Sequence, residues 1–236
     1  MPRDLARKAT AEAVGTALLV AIVVGSGIFA QRLSPDDVGL QLLENSTATG
    51  AGLVALILAF GSVSGAHFNP VVTLADRVLG GLTTREAAAY VAAQVAGGCF
   101  GTVIANLMFD LPAVTLSTHT RSSSGLWLGE VVATFGLVMV ILGVVRSGRA
   151  STAPFAVGGY IAAAYWFTSS TSFANPAVTV ARTLTDTFAG IKPLSAPAFI
   201  VAQLLGGALA VALATFLHPD LAADDLVVPH EQPDSA

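Results

Sequence analysis

The side chains in this sequence that could do chemistry are few, and their spacing narrows what that chemistry is. Asparagine precedes proline at Asn69-Pro70 and at Asn175-Pro176. Asparagine is a strong N-cap residue and proline suits the first helical position, so each dipeptide starts a helix with a neutral amide that can donate hydrogen bonds. Glu12 and Glu130 fall inside apolar runs, where an ionisable group ordinarily signals function. No two carboxylates line one span as paired acid and base, and Ser64 near His67 lacks a Gly-x-Ser-x-Gly setting, so an intramembrane hydrolase is disfavoured. The single cysteine, Cys99, excludes an internal disulfide and gives no metal-ligand spacing; its neighbours Gly97, Gly98 and Gly101 suit close helix packing. No cofactor or metal is implied. These groups suit a filter for neutral molecules better than a catalyst.

The elements that must hold them are membrane helices. Of 236 residues 54% are hydrophobic and 11% charged, with mean hydropathy +0.73, which places the chain in the membrane class and excludes nucleic acid as a partner. Apolar segments long enough to span lie at about 9–30, 46–64, 85–108, 125–145, 152–168 and 196–217. The first is longer than a signal-peptide core, so it is read as a span. The Asn-Pro segments follow the second and fifth spans and are too short to cross the bilayer. Each reads as a half-helix, the second running about two turns from Asn175 to the charge of Arg182.

An internal repeat is visible. Glu12 matches Glu130, Asn69 matches Asn175 and Gln94 matches Gln203, at offsets of 118, 106 and 109 residues. Three spans per half give the halves opposite orientations, so the half-helices enter from opposite faces. The expected fold is an all-α membrane protein of six transmembrane helices and two re-entrant half-helices in an inverted 3+3 repeat. One channel domain is expected over 1–217, with repeats at about 9–110 and 125–217, and a disordered cytoplasmic tail over 218–236. Arg3, Arg7, Lys8, Arg77, Arg85, Arg146 and Arg149 outnumber Arg32, Arg121, Arg182 and Lys192 on the other side, which puts both termini in the cytoplasm. Trp127 and Trp166 are expected at the outer interface and Tyr90 at the inner one.

Backbone at membrane depth is tolerated only in a wet cavity or buried in protein. Half-helices starting near the midplane would aim positive dipole ends, each roughly half a charge, at one point and repel cations and protons there. Asn69 and Asn175 would donate to a passing solute.

On these residues the chain resembles an aquaporin, a member of the major intrinsic protein family. The resemblance covers Ala11 to Leu217 through the paired Glu and Gln landmarks, Ser64-Gly65-Ala66-His67-Phe68-Asn69-Pro70 and Asn175-Pro176-Ala177. It implies a multi-pass channel of the inner (plasma) membrane, passive conduction of small neutral solutes and a homotetramer. It places Asn69, Pro70, Val71, Asn175, Pro176 and Ala177 at the pore midplane and His67 on the inner pore wall. Glu12 and Glu130 are then braces for the two half-helix entries, with a proton relay as the lesser reading. The outer selectivity filter falls on Thr49, Ala163, Ser172 and Val178. Two departures stand out: Val71 replaces the usual Ala, and Val178 replaces the Arg that usually follows the second Asn-Pro-Ala. With Thr49 and Ala163 where water-selective members carry bulkier groups, a wider and less polar filter is expected. This pattern resembles bacterial aquaporins associated with arsenic resistance, which implies water plus glycerol, urea or arsenite-type solutes. A strict water channel and an ion-coupled transporter are the alternatives, the latter weakened by neutral Asn at both half-helix starts. Arg182, one turn beyond Val178, either rims the outer vestibule or snorkels to the interface.

Overall fold

The computed structural model describes residues 3–218, so the tail expected over 218–236 lies, apart from His218, outside the described residues. The chain folds into α1 (Arg3–Leu33), α2 (Val38–Ser64), α3 (Pro70–Leu79), α4 (Thr84–Met108), α5 (Ser124–Arg146), α6 (Ala153–Phe167), α7 (Pro176–Ala181) and α8 (Ala196–Leu217). Helices α3 and α7 are the half-helices. Asn69 caps α3 by accepting from Val71 N, and Asn175 caps α7 by accepting from Ala177 N and Val178 N. The 3-10 turn Arg182–Leu184 continues α7.

Among the described residues five helices are long and apolar enough to span a membrane by length and composition. The sixth expected span, at 152–168, is α6, which has 15 residues. Fifteen residues reach about 22 Å, short of the hydrocarbon core. A 3-10 turn, Ala150–Thr152, leads into it. At its other end the hydroxyl-rich stretch from Thr168 leaves the helix to reach Asn175.

Helix α1 packs on α4 and α2, and α5 packs on α8 and α6, so each half is built alike; α2 against α6 joins the halves. The α1–α4 and α5–α8 crossings are close because a Cβ on Gly97 would lie 2.1 Å from Ala13 O, and one on Gly206 2.4 Å from Val131 O. Any larger residue would push the helices apart. Outward faces carry Phe100, Leu128, Val201 and Phe216, all exposed and apolar, as a lipid-facing surface requires.

Candidate functional site: the pore

The backbone entering each half-helix is irregular in the same way. Ala66 and Phe68 have φ of 50° and 48°, and their counterparts Ser172 and Ala174 have 52° and 49°. A non-glycine residue in this region costs on the order of 1–3 kcal/mol, so something must hold it. Glu12 does so in the first half: Oε1 accepts from Ser64 Oγ at 2.6 Å and His67 N at 3.0 Å, and Oε2 from Phe68 N at 2.8 Å and Gln94 Nε2 at 2.7 Å. Glu130 repeats the device, accepting from Phe173 N and Ala174 N, both at 2.9 Å, and from Gln203 Nε2 at 2.5 Å. Both glutamates have no exposed surface. Tyr90 is also fully buried, donating to Ser64 O at 3.0 Å, and is not the interfacial residue its place in the sequence suggested. A polar partner on α2 draws its ring inward, where a belt residue would face lipid.

At the centre the half-helices meet end to end. Asn69 Nδ2 donates to Ala174 O and Asn175 Nδ2 donates to Phe68 O, each at 2.7 Å. Each amide thus caps its own half-helix through Oδ1 and ties down the opposite loop through Nδ2. Both asparagines line the central cavity, where the second N–H of each amide remains available to a solute. Pro70, Val71, Pro176 and Ala177, expected beside them at the midplane, are buried and are not among the residues that line this cavity. Val71 points at Gly207, whose added Cβ would lie 2.2 Å from Val71 Cγ1. The bulk of Val71 is therefore absorbed between α3 and α8 and does not narrow the pore.

The cavity runs from Val145, Ala153 and His67 at one end, past the two asparagines, to Thr49, Tyr165, Ser172, Phe173, Val178 and Arg182 at the other. Its walls are mostly aliphatic and paired by the repeat, with Leu19 matching Leu137 and Val72 matching Val178. His67 Nδ1 lies 3.1 Å from Thr73 Oγ1, and Nε2 lies 3.9 Å from Asp76 Oδ2.

At the Arg182 end of the cavity Thr49, Ser172 and Val178 are lining residues, but Ala163 is not: it is exposed on the far side of α6. Tyr165 takes its place, its hydroxyl 3.2 Å from Thr49 Oγ1. Two residues turn a helix by about 200°, so a count two short lands on the opposite face. Arg182 is 2% exposed, so the reading in which it snorkels to the interface is overturned. Its Nε donates to Ala189 O, and its guanidinium carbon lies 3.4 Å from the centre of the Phe173 ring. Arg121 sits over the same ring at 5.2 Å and donates to Gly190 O and Phe188 O.

Residues 2–172 match the family model described as major intrinsic protein. Aquaglyceroporin AqpS of Rhizobium meliloti is 55% identical over 214 residues, covering 91% of this chain and 91% of the relative. The chain belongs to the major intrinsic protein family. A probable aquaporin, AqpM of Archaeoglobus fulgidus, is 29% identical over 92% of this chain and 99% of its own length. The X-ray structure of the aquaglyceroporin from Plasmodium falciparum superposes with a TM-score of 0.72 at 21% identity, covering 91% of this chain and 98% of that one, which shows the shared fold. Membership makes this a multi-pass membrane channel for small neutral solutes and not an enzyme.

For a member of this family, the residues that sequence reasoning missed cluster at the outer end. Tyr165 escaped because α6 ends in an irregular loop across which register cannot be counted. Phe173 was visible as the repeat counterpart of His67, an aromatic at the matching position before the second asparagine. Arg121 carried no local signal, since it reaches the site through the long link between the repeats.

Proposed function

We propose that this protein is a passive, aquaglyceroporin-like channel conducting water together with glycerol, urea or arsenite-type neutral solutes. The observation that carries this reading is Val178 in the cavity wall, directly after Asn175-Pro176-Ala177, at the position where a cation would otherwise narrow the pore. Phe173 and the hydroxyl-bearing Thr49 and Tyr165 line the same cavity. A lining that combines apolar side chains with a few hydroxyls suits a molecule with both carbon and hydroxyl groups. AqpS carries the name aquaglyceroporin, which supports the same solute class.

In this reading 1–217 form one channel domain and four copies assemble in the inner membrane with both termini in the cytoplasm. Swelling of proteoliposomes in glycerol, urea and arsenite gradients tests the solute range. Flux of these solutes is expected without any ion gradient, and Val178→Arg is expected to reduce glycerol flux roughly tenfold while sparing water. Water flux alone, unchanged by Val178→Arg, would sink the reading.

A further inference from the structure

We propose that Arg182 supplies, one turn further out, the donor that position 178 lacks, and that it selects neutral solutes rich in oxygen acceptors. Register comes first. Arg182 follows Val178 by four residues, so it lies on nearly the same face of the half-helix and about 6 Å beyond it. Both residues line the one cavity.

Burial comes second. Arg182 is 2% exposed, yet among the described residues no carboxylate pairs with it, and its guanidinium donates from Nε to Ala189 O. A guanidinium carries several further N–H donors, and a buried one that leaves donors unused is costly unless something accepts from them. The ring of Phe173 holds the guanidinium from one side, and Arg121 adds a second positive charge over that ring. What remains open is the cavity.

A further polar atom shares that space. Ser172 is 3% exposed, lines the same cavity, and among the described residues its Oγ has no hydrogen-bond partner. Two buried polar groups, one cationic donor and one hydroxyl, therefore face a volume in which only a passing molecule can satisfy them. A polyol or hydroxylated neutral acid offers acceptor oxygens to the guanidinium, whereas a methyl group in the same place offers none. A monovalent cation meets like charge from Arg182 and Arg121.

The repeat sharpens the assignment. Arg182 and Phe173 are the counterparts, 106 residues on, of Asp76 and His67. The matched position thus carries an acid on one half-helix and a base on the other, so the positive site belongs to the outer end alone.

The inference rests on the channel reading above, and its test separates the two. Full-length protein in proteoliposomes is compared as wild type, Arg182→Met and Arg182→Lys for glycerol against propane-1,2-diol, and in planar bilayers for potassium current. Arg182→Met is expected to lower the glycerol to propanediol permeability ratio roughly tenfold, the loss of a hydrogen bond to a charged donor, and to admit a cation current. Arg182→Lys keeps the charge and the buried stem but loses the planar fork; it is expected to lower the ratio while still excluding potassium. An unchanged ratio in whichever of the two variants folds, judged by a wild-type elution profile and melting temperature in detergent, overturns the role of Arg182. Failure of Val178→Arg to reduce glycerol flux instead overturns the reading beneath it.

Discussion

Tyr165 and Thr49 share a hydrogen bond of 3.2 Å across the outer end of the pore, tying α6 of one repeat to α2 of the other. Tyr165→Phe keeps the ring and removes the shared hydroxyl. The expected result is a glycerol to water permeability ratio two- to fivefold lower, roughly one hydrogen bond. Thermal unfolding in detergent should move little. Stopped-flow light scattering on the same vesicles measures the ratio, and an unchanged value would detach Tyr165 from selectivity.

Glu130→Gln leaves the shape of the brace intact and reverses one of its ends. A Gln side chain offers one acceptor oxygen and a donating NH2, so Phe173 N, Ala174 N or Gln203 Nε2 must face another donor. The cost is about 3 kcal/mol for a buried donor left without an acceptor. Glu12→Gln should cost a similar amount through His67 N, Phe68 N and Gln94 Nε2. Melting temperatures of both variants against wild type give the comparison, and wild-type values for either would contradict the bracing role.

Glycine at the α5–α8 crossing can be tested against glycine in open space. Gly206→Ala places a Cβ 2.4 Å from Val131 O and should destabilise by about 2–3 kcal/mol. Gly159, inside α6, has nothing within 4 Å of an added Cβ, so Gly159→Ala should stabilise by roughly 0.5–1 kcal/mol. Opposite signs in thermal unfolding are the expected outcome.

An acid limit is set in the loops beside the Arg182 end of the pore. The backbone amide of Thr118 and then its hydroxyl hold the Asp186 carboxyl below its ordinary value of 3.8, with His119 Nε2 3.9 Å from Oδ1. A lowered folded value means that this link contributes fully above pH 3.8 and is lost as pH falls through the lower folded value. Hydrogen exchange at the Thr118 amide should therefore stay protected at pH 5 and open only below 3.8. Asp186→Asn should remove that acid dependence.

Much of the fold was legible because the repeat writes its landmarks twice. Asn-Pro marked where the half-helices start, because capping is a local demand that few residue types meet. The family resemblance marked Glu12 and Glu130 as braces, while Gln94 and Gln203 were legible only as landmarks of the repeat and their donations to the glutamates needed the fold. Facing residues were harder. Ala163 was chosen by counting through Thr168 to Ser172, where the backbone adopts left-handed angles and a helical count loses its meaning. Val71 stood out only as a departure from the usual Ala beside the midplane, and the sequence left its effect on pore width open, because its direction depends on Gly207, far along the chain. Arg182 could be placed on the outer side from sequence, but its burial depends on Phe173 and Ala189, which only the folded loop brings to it.

The reciprocal bonds of Asn69 and Asn175 have a consequence for how the molecule is assembled during synthesis. Each amide ends on a carbonyl supplied by the other half of the chain. While the second half is still on the ribosome, Phe68 and Ala174 cannot yet exchange partners, so the first half waits in the bilayer with its filter unfinished. Neither half can complete this contact by itself, so the central pairing forms only once the second Asn-Pro segment has been made.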